Sequence, residues 1–245
     1  MSFESYTDCL LQAYESHTRP TEVLKRKKEI LDEIAMFYNY SPRSILYVGF
    51  NPAILTDTTE EIYLTAASQA TQDFLKQNGI KFEFIPSLGS LAPNFKFDCV
   101  VALDEYFTFA ASDTEQRARV TEICNLTREY VITTCKDYKN QEFKDREFSV
   151  PALIRNGKSN NIFLEFHDYD IQDRNSWLTQ VYHINGTSVN TYGKFARRAM
   201  FFKQLAKFSH DAGAEGFTVH KNLMYKSLIK KNYEHVISIR FDNGS

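Results

Sequence analysis

The chain has 245 residues, of which 43% are hydrophobic and 24% are charged, and its formal net charge is −2. This composition predicts one fairly large globular domain with a small addition, and it excludes a fibrous or disordered protein. The apolar runs are too short to cross a membrane and the first residues do not resemble a signal peptide, so we expect a soluble, cytoplasmic protein. The four cysteines are far apart, which predicts reduced thiols and neither a disulfide framework nor a metal site.

Residues 1–43 are predicted to form a helical extension to the main domain, which we place in residues 44–245. Apolar residues between Thr21 and Tyr40 recur at helical intervals, and Thr21 follows Pro20 at a position suited to capping a helix. A shorter helix is expected around Tyr6 to Ser16. The extension therefore contains two helices, the second of which is amphipathic.

From Ser44 onward the pattern alternates between strands and helices. Short apolar runs predict five strands, at SILYVGF, EIYLTA, IKFEFI, FDCVVAL and REYVITTC. Helical spacing predicts helices at SQATQDFLKQNG, where Gly79 would end the helix, and at DTEQRARVTEICNLT. This order predicts a Rossmann-like α/β fold with a mainly parallel sheet and helices on both faces. Ligands of such sheets bind outside the carboxyl ends of the strands.

The segment from Arg43 to Lys139 resembles class I S-adenosylmethionine-dependent methyltransferases. The resemblance is carried by FDCVVALDEYFTFA, in which Asp98 opens an apolar strand, and by YVITTCKDY, whose Thr133 and Thr134 match the end of the family's fifth strand. It implies a seven-stranded sheet, S-adenosyl-L-methionine as the cofactor and methyl transfer to an acceptor that the sequence does not identify.

The resemblance also implies a cofactor pocket made by the loops at the carboxyl ends of the first four strands. Its expected lining residues are Gly49, Phe50, Asn51, Thr65, Ala66, Ser87, Leu88, Leu103 and Asp104. Two family features are missing: Tyr47 replaces the acid before the first glycine, and the second strand ends with Thr65 and Ser68 in place of a carboxylate. A hydroxyl makes only one of the two charge-assisted hydrogen bonds that a carboxylate makes to ribose.

These departures leave two interpretations open. One is a methyltransferase with degenerate cofactor motifs, and the other is a catalytically inactive methyltransferase-like fold that acts as a binding or assembly module. For the first, we expect Glu105 to orient or deprotonate the acceptor and Tyr106 to contact the sulfonium methyl by cation–π attraction. A competing interpretation is that Asp104 and Glu105 only cap the helical turn that follows them.

The last third of the chain is predicted to complete the sheet. Apolar spacing from Phe195 to Phe208 predicts a helix that ends at Gly213, and two strands follow, the last of them antiparallel and near Val236 to Phe241. Before this helix, residues 140–192 are expected to be an insertion that contains a β-hairpin at about residues 162–184.

Two further patterns in this part of the chain are open to more than one interpretation. An excess of basic residues makes nucleic acid a candidate partner, although solvated helix faces explain the same charges. These residues are Lys194, Arg197, Arg198, Lys203, Lys207, Lys221, Lys226, Lys230 and Lys231. His167, Asp168 and His183 are spaced so that they could form a metal or acid–base cluster across the hairpin, but a polar hairpin face explains them without a metal.

Overall fold

The computed structural model describes residues 3–92, 94–138, 146–149, 152–156, 159–230 and 232–242. Two helices come first, α1 (Phe3–Glu15) and α2 (Pro20–Tyr38). The predicted cap at Thr21 is wrong, because α2 begins at Pro20, whose missing N–H costs nothing in the first turn of a helix. Among the described residues, no helix is long and apolar enough to span a membrane.

The remaining elements alternate as the sequence predicts up to the fifth strand. In chain order the described strands are β1 (Ser44–Val48), β2 (Glu61–Thr65), β3 (Glu83–Phe84), β4 (Phe97–Ala102), β5 (Thr127–Cys135), β6 (Arg146–Phe148), β7 (Ala152–Asn156), β8 (Ser159–Tyr169), β9 (Ser176–Asn185), β10 (Ser188–Arg198), β11 (Gly216–Lys226) and β12 (Tyr233–Arg240). The helices among them are α3 (Gln69–Gln77), α4 (Asp113–Asn125) and α5 (Phe202–Asp211).

The main sheet has seven strands in the order β11-β12-β5-β4-β1-β2-β3. β1 to β5 are parallel, and β12 is antiparallel to both β5 and β11. Every residue of β1 and β4 is buried, as expected for central strands that are covered on both faces. The predicted Rossmann-like, mainly parallel seven-stranded sheet with one late antiparallel strand is confirmed. The strand order reverses between β1 and β4, where such sheets open a crevice at their carboxyl edge.

A second, antiparallel sheet is formed by β6 to β10, with β8 and β9 paired along their length. The expected hairpin is therefore present, although it belongs to a larger sheet. The bounds 140–192 for the insertion and the domain boundary at residue 44 stay predictions, and residues 140–145 lie outside the described part of the chain.

The predicted helix from Phe195 to Gly213 is wrong in its first part. β10 continues to Arg198, and α5 begins only at Phe202. Along β10, Phe195 and Arg197 are buried whereas Ala196 is exposed. This alternation has the period of two that belongs to a strand, and it brings Arg197 into the interior.

Candidate functional site

The loops that follow β1, β2 and β3 are joined by hydrogen bonds at the carboxyl edge of the main sheet. The N–H of Gly49 donates to the carbonyl of Thr65 (2.8 Å), and the hydroxyl of Thr65 donates to the carbonyl of Ile85 (2.9 Å). Thr65 is thus occupied by a backbone partner. The structure brings the first two predicted loops together. The hydroxyl of Thr65, which we expected near ribose, is bonded to the backbone within the sheet.

Helix α1 lies directly on Gly49. The φ angle of Gly49 is +77°, and a Cβ at this position would lie 2.3 Å from Cγ2 of Thr7 and 2.9 Å from Cε1 of Phe3. The hydroxyl of Thr7 also lies 3.2 Å from the carbonyl oxygen of Ala66, to which it donates. Because Gly49 has no side chain, other groups can approach its backbone closely, and here the groups that do so are side chains of α1.

Phe50 and Asn51 are both buried behind Gly49. The ring of Phe50 packs against those of Tyr14 and Phe74, with centroids 5.8 and 6.0 Å away. Oδ1 of Asn51 accepts from the N–H of Ala53 (2.9 Å), which caps a short 3-10 helix. Nδ2 of Asn51 is buried and has no hydrogen-bond partner within the described part of the chain. Phe50 is therefore a packing residue, whereas Asn51 retains an unused donor.

The predicted residues of the third loop lie at the edge of the sheet. Ser87 is exposed and Leu88 is half-buried, just after β3, which is the outermost strand on that side. The fourth loop is different, because Leu103 and Asp104 are both buried. Oδ2 of Asp104 accepts from the hydroxyl of Tyr225 (2.6 Å), and Oδ1 has no partner among the described residues.

Three non-glycine residues at this edge adopt the left-handed backbone conformation. The φ angles are 51° at Ala66, 56° at Asp104 and 56° at Glu105. This conformation costs a residue with a Cβ about 1–2 kcal/mol. Residues held in it cluster at active sites and ligand clamps, so the loops after β2 and β4 have the backbone character of a functional edge.

Glu105 is the centre of a buried group of charges. Its Oε2 lies 2.8 Å from Nζ of Lys230, 3.2 Å from Nη2 of Arg197 and 3.4 Å from Nζ of Lys136, and its Oε1 accepts from the hydroxyl of Tyr138. Burial alone would raise the pKa of the Glu105 carboxyl, but the three cations outweigh burial and hold the pKa well below its usual value. Glu105 is therefore a fixed negative charge.

Two more carboxylates complete what we call the buried ion network: Glu105, Glu165, Glu234, Arg197 and Lys230. Glu234 lies 3.4 Å from the ammonium of Lys230, and burial raises its pKa to about 7. Glu165 on β8 is 3.9 Å from the guanidinium of Arg197, and neither of its oxygens has a hydrogen bond among the described residues. The network thus joins the end of β4 to the second sheet.

The capping interpretation of Asp104 and Glu105 is wrong. Glu105 does precede a 3-10 helix, Tyr106–Thr108, but its side chain makes no capping hydrogen bond because the ion network holds it. The ring of Tyr106 lies 4.9 Å from that of Phe3 and under the guanidinium of Arg119. Tyr106 therefore belongs to the contact between α1, this loop and α4.

The basic residues of the C-terminal third do not form one surface. Arg197 and Lys230 are buried in the ion network, and Arg198 pairs with Asp113 and Asp173. Lys231 lies outside the described residues. These ion pairs explain part of the basic excess without nucleic acid, which stays an untested prediction as a partner.

The two histidines of the hairpin bind separate partners. Nδ1 of His167 is 3.0 Å from Oγ1 of Thr179, and Nε2 of His183 is 2.8 Å from Oδ1 of Asn161. In the described part of the chain, no group of three or more histidine, cysteine, aspartate or glutamate side chains is placed to hold a metal ion. The cluster interpretation is therefore wrong for these residues.

Solved structures share this architecture. A S-adenosylmethionine-dependent methyltransferase from Clostridium acetobutylicum ATCC 824 aligns with a TM-score of 0.65 and 11% identity over 89% of this chain and 91% of that chain. The sugar N-methyltransferase KedS8 from Streptoalloteichus sp. ATCC 53650 aligns with a TM-score of 0.65 and 10% identity over 91% and 90%. S-adenosylmethionine-bound CalS10, an amino pentose methyltransferase from Micromonospora echinaspora, aligns with a TM-score of 0.61 and 11% identity over 86% of this chain and 89% of that chain.

No family model matches the sequence, and no curated protein matches it either. The likeness to solved structures shows that the chain has the fold of class I S-adenosylmethionine-dependent methyltransferases. At the level of fold, the resemblance seen in the sequence is confirmed.

Proposed function

We propose that this chain is a S-adenosylmethionine-dependent methyltransferase in which α1 must leave Gly49 before the cofactor binds. The observation that carries the proposal is a pair of unused polar atoms, Nδ2 of Asn51 and Oδ1 of Asp104, on the loops after β1 and β4. Buried polar atoms normally have partners, and leaving one without a partner costs about 1–3 kcal/mol. These two atoms lie on the two sides of the strand-order reversal, where ligands of this fold bind.

The chemistry of these atoms suits the cofactor. Nδ2 of Asn51 can donate to a carboxylate or a hydroxyl, and the free oxygen of Asp104 can accept from an ammonium or a hydroxyl. The bound cofactor would supply a methyl group that its sulfonium already activates, so the protein has only to position the acceptor. The lowered pKa of Glu105 makes it a poor proton acceptor. We therefore assign Glu105 an electrostatic role, orienting a cationic or hydrogen-bonding acceptor.

One contact favours a second candidate, a binding or assembly module without catalysis. Thr7 and Phe3 fill the space above Gly49, and Asp8 holds α1 to the start of α3 through the hydroxyls of Ser68 (2.5 Å) and Thr71 (3.3 Å). If α1 stays there, no cofactor can approach Gly49. The two candidates thus differ in whether α1 can be displaced.

Calorimetric titration with S-adenosylhomocysteine separates the two candidates, and a thermal shift gives a second readout. A ligand at 100 times its dissociation constant stabilises the folded protein by about 2.7 kcal/mol. The informative variant is Asn51→Asp, because it keeps the capping oxygen and replaces the unused donor by an acceptor oxygen of a carboxylate. We expect it to weaken binding by at least about fivefold, which the loss of one hydrogen bond alone predicts, because the added negative charge also repels a carboxylate of the ligand.

The matched control is Asn78→Asp at the end of α3. Nδ2 of Asn78 is exposed and bonds the carbonyl of Phe74, away from the crevice. We expect this variant to bind S-adenosylhomocysteine as the unmodified chain does. Absence of saturable binding at millimolar ligand would reject the methyltransferase and leave the binding module. Equal binding by Asn51→Asp and Asn78→Asp would reject the contact between Asn51 and the cofactor.

A further inference from the structure

Apart from the crevice at the carboxyl edge of the main sheet, a cavity lies between α2, β7, β11 and the segment that joins β11 to β12. Its volume is about 470 Å³, which is within the range of small-molecule sites. Much of its wall is apolar and comes from three separate elements. The apolar side chains include Val23, Ile30, Ile154, Leu223 and Leu228. A ligand with an apolar body would therefore be covered from several sides.

One wall of this cavity carries a buried cation, Lys27, which is only 5% exposed. Its ammonium donates to the carbonyl of Lys226 and lies 3.4 Å from the centre of the Tyr225 ring. An ammonium has three donors, so these contacts leave one of them for another partner. No carboxylate of the described residues forms an ion pair with Lys27. The carboxylates of Asp104 and Glu234 act on Lys27 from a greater distance and raise its pKa, which burial lowers. Buried charges are normally paired at close range, and no carboxylate of the described residues supplies such a pair.

An unused hydroxyl lines the same cavity as this cation. Ser227 lines the same cavity and is buried, and its Oγ has no hydrogen-bond partner among the described residues. Ser227 follows Lys226, whose carbonyl accepts the bond from Lys27. Ser227 is thus the residue after the one whose carbonyl binds the ammonium, and both side chains line the cavity as donors for an oxyanion.

The other charged groups of the cavity do not cancel that positive charge. Arg26 and Lys226 are basic, and Glu29 and Glu33 are acidic. Together with Lys27 they leave an excess of one positive charge. The fourth basic residue of the wall, Lys230, is already paired with Glu105 and Glu234. Burial lowers the pKa of Lys27 to about 8, so its ammonium form still predominates at neutral pH.

We propose that this cavity binds a small amphiphilic anion, with an oxyanion on Lys27 and Ser227 and an apolar body against the surrounding walls. The binding energy comes from two sources. Apolar burial contributes about 25 cal/mol per Å² of covered surface, and the oxyanion supplies the close, hydrogen-bonded charge that the ammonium of Lys27 does not have among the described residues. The proposal does not depend on methyl transfer, because none of its residues belongs to the predicted cofactor loops.

Calorimetry on the full chain with three probes tests this site. The probes are octanoate, which has both the charge and the chain, octan-1-ol, which lacks the charge, and acetate, which lacks the chain. We expect saturable binding of octanoate and at least tenfold weaker binding of the other two. In Lys27→Met, octanoate binding should fall at least tenfold, to about the level of octan-1-ol.

The matched control is Lys25→Met, on an exposed position of the same helix, and it should bind octanoate unchanged. A second variant, Ser227→Ala, adds no bulk and should weaken binding about fivefold by loss of one hydrogen bond. It keeps the test decisive if Lys27→Met fails to fold. The proposal is overturned if octanoate does not bind at millimolar concentration, if octan-1-ol binds as tightly, or if Ser227→Ala and folded Lys27→Met both bind like Lys25→Met.

Discussion

Replacing Phe3 by alanine tests whether α1 competes with the cofactor for the same space. The ring of Phe3 is buried, and its centroid lies 4.9 Å from the ring centroids of Tyr106 and Phe109. Truncation of a buried phenylalanine costs about 3–5 kcal/mol. Phe3 is in the first turn of α1, where the backbone can relax, so we expect the lower value, about 3 kcal/mol.

This loss should appear as a gain in affinity if α1 must undock before the cofactor binds. The apparent dissociation constant equals the intrinsic one divided by the fraction of molecules that are competent to bind. Every 1.4 kcal/mol removed from the docked state therefore tightens binding by up to tenfold. For Phe3→Ala we expect S-adenosylhomocysteine to bind up to about 100-fold more tightly although the protein is less stable.

The assay combines urea denaturation with calorimetric titration of the folded protein. The matched control is Leu205→Ala: Leu205 is fully buried in α5, which packs on α4 and β11. This variant should lose a similar free energy of unfolding without any change in affinity. Destabilised Phe3→Ala with unchanged or weaker binding of S-adenosylhomocysteine would refute competition by α1, as would equal tightening in Leu205→Ala.

Three further predictions concern stability. Gly49→Ala and Gly79→Ala share the cost of a positive φ angle, about 1–2 kcal/mol, but only the first places a Cβ against α1, so urea denaturation should show the larger loss at Gly49; equal losses would contradict the packing of α1. Arg197→Met should lower the free energy of unfolding by about 3–5 kcal/mol, because the buried carboxylate of Glu105 loses one of the positive charges that stabilise it. A loss within the error of the measurement would argue against the network. Burial raises the pKa of Glu234 to about 7, so the folded state keeps a proton that the unfolded state releases near pH 4.5. The free energy of unfolding should therefore decrease as the pH rises from 4.5 to 7. Glu234→Gln should flatten that fall in melting temperature, whereas parallel pH profiles of the two proteins would speak against it.

The main sheet could be predicted because its local and global signals agree. In the strand from Ser44 to Val48, every residue after Ser44 is apolar or aromatic, and the strand is buried throughout as a central strand of a parallel sheet. Gly79 ends α3 with a φ angle of +78°, as its place in the sequence predicts. Where periodicity, turn residues and resemblance all pointed to one element, the structure contains that element.

The site could not be predicted to the same depth, because its contacts join residues far apart in the chain. The apolar spacing from Phe195 to Phe208 fits a helix. The sequence therefore did not show that Arg197 lies on a strand and is buried. The contact of Phe3 with Gly49 is also a matter of tertiary packing, since a helix near Tyr6 can be recognised without any sign of what it covers. The alternation of burial in β10 does not show in the sequence as an apolar–polar alternation, because the buried residue is Arg197 and its exposed neighbour is Ala196.

Helix α1 also connects the crevice to the buried ion network. Tyr6 on α1 is fully buried, its ring packs on Phe109 and Phe195, and the ammonium of Lys230 lies 5.7 Å from the ring centre. Displacing α1 exposes these apolar rings, which costs free energy, but it also returns water to charges that are costly to bury. The apolar contacts of Tyr6 and the cation–π contact with Lys230 therefore hold α1 in place, whereas the hydration of the buried charges favours its displacement. On our proposal, the movement that opens Gly49 to the cofactor also opens the side of Glu105 on which an acceptor would bind.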